Sequence, residues 1–246
     1  MNRRKDARIY ILYHKDADLW NDALYMPKSV HDSEIAELNP VYCELTGLYD
    51  IWKHHPKSLK YIGVCQYRRR LQFPEDYDFK PLLMDDAILC AKPYNFSKTV
   101  KGQYAQCHNV EDLQLMESIV KEKNPDYAQA WDYWINGNNT LFYSQGWVAR
   151  VEDFDRYCEW LFDLLDAFCK KAGIETVEDC RNYVEKNIAA GKYPDIGNAF
   201  KEHSAEDIVQ YQMRICGYLA ERLFTLWVFK NFGNKILVKP YVKIGC

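Results

Sequence analysis

Two short apolar runs bracket a helical stretch, and that order constrains the fold more than any other feature of the chain. Ile9 to Tyr13 is β-rich and stops at polar His14, Lys15 and Asp16, while Lys60 to Cys65 runs directly into Gln66-Tyr67-Arg68-Arg69-Arg70. Between them Asn39-Pro40 supplies an N-cap and a proline at the first helical position. Val41, Leu45, Leu48 and Trp52 then recur at helical spacing, which predicts a helix over 40–54. Apolar runs of this length read as strands buried on both faces, and strand, helix, strand in that order favours parallel pairing through a right-handed crossover. Ligands of such open sheets bind outside the carboxyl ends of the strands, so the residues after Tyr13 and Cys65 are the first place to look for a site.

The rest of the pattern extends this α/β reading. A third strand is expected over Ala87 to Ala91, helix over 110–136 interrupted at Pro125, and strand from Leu141 to Val148. Phe154, Tyr157, Cys158, Leu161, Leu165 and Phe168 mark an amphipathic helix, with Glu152 and Asp153 in its first turn and Gly173 past its end. Residues 174–203, with Gly191, Pro194 and Gly197, read as a loop or lid insertion. Ser204 to Asp207 resembles a capping box, and a long stripe from Ile208 to Trp227 closes at Gly233 before a final strand from Lys235 to Val238. No segment repeats, so 1–246 is read as a single domain.

Composition removes several function classes. A net charge of −3 gives no basic field for a nucleic-acid duplex, so any anion must be met locally. Nine cysteines, an odd number without a Cys-x-x-Cys pair, sit mostly in apolar stretches and read as reduced, buried thiols of a cytoplasmic protein. No apolar run approaches the roughly 20 residues of a spanning helix, and no dinucleotide, P-loop, zinc-protease or hydrolase motif occurs.

Arginine carries the most distinctive local chemistry. Guanidinium forks match phosphate oxygens and stay charged, and in an extended segment Arg68 and Arg70 would share one face, with Arg69 on the other. A solvated charge run would be spelled the same way. Asp16 and Asp18, Asp76 and Asp78, and the Asp85-Asp86 pair have spacings that could hold a divalent cation, although such short acidic patterns also suit plain loops. His108 with Glu111 and Asp112 stands at a helix start, where capping or general-base chemistry fits equally. Arg214, Tyr218, Glu221 and Thr225 form a polar stripe beside Arg222 on the last helix.

These residues resemble the bacterial DUF4422 family. The resemblance is carried by Ile9-Tyr-Ile-Leu-Tyr-His-Lys15, Leu38-Asn-Pro-Val-Tyr-Cys-Glu-Leu-Thr-Gly-Leu-Tyr49, Tyr61-Ile-Gly-Val-Cys-Gln-Tyr-Arg-Arg69, Phe154-Asp-Arg-Tyr-Cys-Glu-Trp-Leu-Phe162 and Gly217-Tyr-Leu-Ala-Glu-Arg-Leu-Phe224. It implies a GT-A-like, Rossmann-like α/β fold with a mainly parallel sheet and a long C-terminal helix. The implied activity is glycosyl transfer: a hexosyl unit, galactosyl or galactofuranosyl, would pass from a UDP-sugar to an oligosaccharide or lipid-linked acceptor of a capsular polysaccharide or exopolysaccharide. Catalytic roles would fall to Arg68, Arg69, Asp112 and Glu221, and donor binding to Tyr13, His14, Glu44, Thr46, Gln66, Tyr67, His108 and Arg222. With arginines in place of metal carboxylates, no metal ligand is assigned, and manganese or magnesium would not be essential. The chain departs from the family pattern at Gln66, where histidine is usual, at Arg70-Leu71 and in the stretch from Asn138 to Gln145. A non-catalytic module that binds nucleotide sugar or polysaccharide, and a nucleotidyl or phosphosugar transferase, are the alternatives.

Overall fold

The computed structural model describes residues 3–15, 19–84, 86–194 and 204–244. Its strands are β1 (Ala7–Tyr13), β2 (Tyr25–Ser29), β3 (Tyr61–Gln66), β4 (Arg69–Arg70), β5 (Ile88–Ala91), β6 (Tyr94–Asn95), β7 (Thr140–Leu141), β8 (Gly146–Arg150), β9 (Ile236–Lys239) and β10 (Val242–Lys243). Its α-helices are α1 (Asn39–Tyr42), α2 (Leu45–His54), α3 (Lys80–Leu83), α4 (Val100–Cys107), α5 (Val110–Lys123), α6 (Ala128–Trp131), α7 (Val151–Ala172), α8 (Val177–Ala189), α9 (Ala205–Gln212) and α10 (Ile215–Phe232).

Side by side, the main sheet runs β2, β1, β3, β8, β5, β9, and a short β4 beyond the end of β3 pairs with β3 and β10; β8 is antiparallel to both of its neighbours, β4 is antiparallel to β3 and β10, and the pairs β1–β2, β1–β3 and β5–β9 are parallel. Tyr10, Leu12, Ile62 and Val64 face a large core under α2, α5, α7 and α10, and Ile9, Ile11 and Cys65 face a smaller one with Phe73 and Phe79. Gly63 is needed in β3 because a Cβ there would meet Ile9 Cγ1 at 2.9 Å and Val148 Cγ2 at 3.0 Å. Strand β2 lacked an apolar signature and contains Pro27, which an edge strand tolerates because one side of its backbone needs no partner.

Cap chemistry marks several helix ends. Gly173 closes α7 in the left-handed region at φ 70°, and Ser204 with Asp207 forms the expected capping box of α9. The structure departs from the sequence reading at four places. The helix expected over 40–54 breaks at Cys43, whose φ of 53° ends α1, and Asn39 is inside α1, its Nδ2 donating to the Cys43 carbonyl at 2.7 Å. The region expected as a lid contains α8, opened by a Thr176–Asp179 capping box and anchored by buried Cys180 and Val184; residues 195–203 lie outside the described residues. The stripe from Ile208 to Trp227 is two helices, separated at Met213 and Arg214. The strand expected from Leu141 to Val148 is two, β7 pairing with β6 in a small sheet of its own and β8 lying in the main sheet; in α10, Arg222 to Val228 are all buried, with Phe224 against Trp147 and Tyr157.

The eight described cysteines carry no disulfide, and all but Cys107 are buried. No helix among the described residues is long and apolar enough to cross a membrane.

Candidate functional site

The chain turns sharply after β3. Gln66 pairs directly with Arg69, so Tyr67 and Arg68 form the tip of a hairpin and the extended alternation assumed for the three arginines does not hold. Arg70 turns inward and is 0% exposed, its Nε donating to the Tyr67 carbonyl at 3.0 Å and its guanidinium lying over Trp20. Arg68 and Arg69, not Arg68 and Arg70, therefore share the ligand side.

Above this hairpin three cavities adjoin one another. The largest, about 480 Å³, lies between His14 and Lys15 at the end of β1, Glu44 before α2, Arg68, and the wall made by Arg181 and Arg214. A smaller one of about 170 Å³ holds Gln66, Arg69, Gln145 and Glu221 and shares Cys43, Glu44, Arg68 and Arg214 with the first. A third, about 200 Å³, shares Tyr143, Tyr218 and Glu221 with the second and adds His108 and Arg222. Together they make one cleft over the carboxyl ends of β1 and β3, where the sheet topology predicts a ligand.

Three cations of the cleft are laid on tyrosines: Arg68 on Tyr67 at 5.1 Å, Arg69 on Tyr143 at 4.7 Å and Arg214 on Tyr218 at 5.7 Å. None of these arginines is ion-paired among the described residues. Arg214 is held further by its Nε, which donates to Cys43 Sγ at 3.1 Å. Gly217 makes room for that thiol, since a Cβ at 217 would stand 3.1 Å from the sulfur. The positive φ of Cys43 is backbone strain stored at the cleft floor. Arg181 is taken by Glu206, which accepts both Nη groups at 2.9 and 2.8 Å and so braces α8 against α9.

Glu221 sits where the second and third cavities meet. Its Oε2 accepts from Arg222 Nη1 at 2.9 Å, and burial raises its pKa above the usual carboxylate range, although 26% of the side chain faces the cleft. Arg222 is buried, also donating to the Gln103 amide oxygen. His108 stacks on Tyr218 at 3.9 Å, and burial pushes its pKa down to about 3, leaving a neutral ring beside Gln212.

Three expected site residues, Asp112, Thr46 and Tyr13, fall elsewhere. Asp112 is 1% exposed, accepts from Tyr183 Oη at 2.6 Å and Asn109 Nδ2 at 3.2 Å, and lines none of the three cavities. Burial raises its pKa to about 7, but a carboxyl closed in by α8 reaches no acceptor, so the expected base role does not fit. Thr46 is fully buried, its Oγ1 donating to the Val30 carbonyl at 2.8 Å, which makes it a strut beneath the cleft. Tyr13 ends β1 and packs on the smaller core. Arg214, Tyr143 and Cys43 were not singled out for the site by sequence reading; of these, the polar stripe at 214, 218 and 221 was the one available signal.

Among the described residues no three ligating side chains gather, and the cleft carboxylates are engaged elsewhere, Glu44 accepting from Gln66 and Glu221 from Arg222. Asp76 and Asp78 are exposed on a loop that Arg4 ties to the amino end of β1, away from the cleft. Asp16, Asp18 and Asp85 lie outside the described residues.

Residues 8–185 match a family described as a domain of unknown function, DUF4422. The chain is also similar to a solved apo structure of the bifunctional glycosyltransferase WbbM, with a TM-score of 0.68 and 22% identity over 96% of this chain and 44% of that one. It thus spans less than half the length of that protein, and the likeness shows the GT-A-like fold. No curated protein matches the chain.

Proposed function

The chain belongs to the DUF4422 family, and we propose that it is a glycosyltransferase moving a hexosyl unit, galactosyl or galactofuranosyl, from a UDP-sugar to a growing surface polysaccharide. The observation that carries this reading is the set of arginines without ion-pair partners, Arg68 and Arg69 after β3 and Arg214 ahead of α10, in a cleft over the carboxyl ends of β1 and β3, with a carboxylate at the far end of the same cleft. Unpaired guanidinium groups held on aromatic rings are prepared for a diphosphate, and their placement costs nothing further when charge develops.

In this reading the nucleoside diphosphate occupies the cleft cavity of about 480 Å³, with its phosphates toward Arg68, Arg69 and Arg214. An acceptor hydroxyl oxygen attacks the anomeric carbon and gives its proton to Glu221. The bond from that carbon to the diphosphate oxygen breaks, and the electron pair leaves on the diphosphate, where the arginines stabilise it. A single displacement of this kind inverts the anomeric centre. The raised pKa of Glu221 makes it a better proton acceptor than an ordinary carboxylate. The site would lie on the cytoplasmic side, in peripheral contact with the membrane where the acceptor is lipid-linked.

Calorimetric titration with UDP and UDP-sugars, followed by UDP-release assays with and without EDTA, tests the reading. Binding and UDP release that persist in EDTA support it. Release of pyrophosphate or monophosphate would instead identify a different phosphate-handling enzyme, and binding without turnover a non-catalytic module.

A further inference from the structure

The third cavity differs in chemistry from the first. Its walls are rings, Tyr94, Phe96, Tyr143, Tyr211 and Tyr218, with Gln103, Glu221 and Arg222 among them. Tyr94 and Phe96 lie parallel at 6.3 Å with 5° between their planes, and Tyr143 stands perpendicular to Tyr94 at 4.7 Å. Tyr94 is 37% exposed, and Phe96 and Tyr143 are each half-buried, an arrangement that leaves ring surface open to a ligand.

Charge separates this pocket from the diphosphate cavity. Its cation, Arg222, is spent on Glu221 and Gln103, whereas Arg68, Arg69 and Arg214 are unpaired. Flat rings with amide and carboxylate groups at their edge, and no free cation, suit a neutral polyhydroxylated ring: apolar C–H faces stack on the aromatics and hydroxyls meet the polar groups. The volume of about 200 Å³ is small for a nucleotide and in proportion to one sugar ring. Glu221 lines both this pocket and the junction with the arginines, so a sugar here would present a hydroxyl to that carboxylate.

We infer that this aromatic pocket is the acceptor subsite and that it binds the terminal sugar of the acceptor saccharide as a neutral ring, through the Tyr94–Phe96 platform. The inference rests on the transferase reading for its meaning, but its binding test stands apart from that reading.

The test uses saturation-transfer NMR on the whole chain with methyl β-D-galactopyranoside, methyl α-D-mannopyranoside and methyl N-acetyl-β-D-glucosaminide, and separately with UDP. At least one glycoside is expected to bind the wild type, UDP is expected not to displace it, and Tyr94→Ala and Phe96→Ala are each expected to weaken that glycoside about tenfold. The affinity for UDP should not change in those variants, and the acceptor KM in a transfer assay should rise by about the same factor as the glycoside dissociation constant. Phe96→Leu, which keeps an apolar side chain, replaces the alanine variant if that one does not fold. Failure of every glycoside to bind the wild type, glycoside binding untouched by these substitutions, or UDP affinity that falls with them would overturn the inference; the last result would place the nucleobase on these rings. Glycoside binding without UDP binding would leave the inference standing and remove the transferase reading instead.

Discussion

Gln66 Nε2 donates to Glu44 Oε1 at 2.6 Å, so the last residue of β3 holds the residue ahead of α2 across the cleft floor. The bond turns the Glu44 carboxylate toward the sheet and leaves Arg68, Arg69 and Arg214 open to an anion. Gln66→Leu frees that carboxylate, and UDP affinity is expected to fall about tenfold by calorimetry, as for loss of one hydrogen bond to a charged group. Gln66→His, which restores the residue usual in the family and can donate from a ring nitrogen, should stay within about threefold of the wild type.

The three arginines should behave differently. Arg68→Ala and Arg69→Ala are each expected to lower kcat for UDP release by about a hundredfold, with unchanged thermal stability, because they face the leaving diphosphate. Arg70→Ala removes packing on Trp20 and the bond to the Tyr67 carbonyl, and urea denaturation should show a loss of about 2–4 kcal/mol. Full activity in both Arg68→Ala and Arg69→Ala would refute the proposed diphosphate site.

As the base, Glu221 must be ionised to accept the hydroxyl proton. Its pKa is raised by burial, so the acidic limb of the kcat/KM profile should lie above the ordinary carboxylate range. Glu221→Gln should remove that limb and lower transfer by about 10²–10⁴-fold while UDP still binds.

Asp112 and His108 should oppose each other in the pH dependence of stability. The folded pKa of Asp112 is raised to about 7, so its contribution is present below its unfolded value of about 4 and is lost as pH rises toward 7. The folded pKa of His108 is lowered to about 3, so its contribution is present above about 6.5 and is lost as pH falls. Between about pH 4 and 6.5 the two largely cancel. Urea midpoints at pH 4.5 and 6.5 should show Asp112→Asn losing stability on acidification relative to the wild type, and His108→Gln gaining it. Parallel behaviour of both variants would contradict the burial of one of the two groups.

Local signals in the amino-acid order were enough for the strands β1, β3 and β5, for α7 with its Gly173 stop, for the Ser204 capping box and for the arginine run at a strand end. Each of these is specified within a few residues, by apolar periodicity or by a side chain that caps its own helix. What the cleft contains was decided at long range. The Gln66–Arg69 pairing turned the hairpin and put Arg68 and Arg69 on one side, against the alternation that a continuing strand would impose. The break between α9 and α10 brought Arg214 onto Cys43, 171 positions earlier in the chain. Asp112 and His108 begin the same stretch of sequence, yet packing of α8 closed one into the interior while stacking on Tyr218 kept the other at the aromatic pocket. Burial and partners of this kind come from elements far apart in the chain, so the residues that could carry the chemistry were legible in the sequence, and which of them meet in one cleft depended on the packed fold.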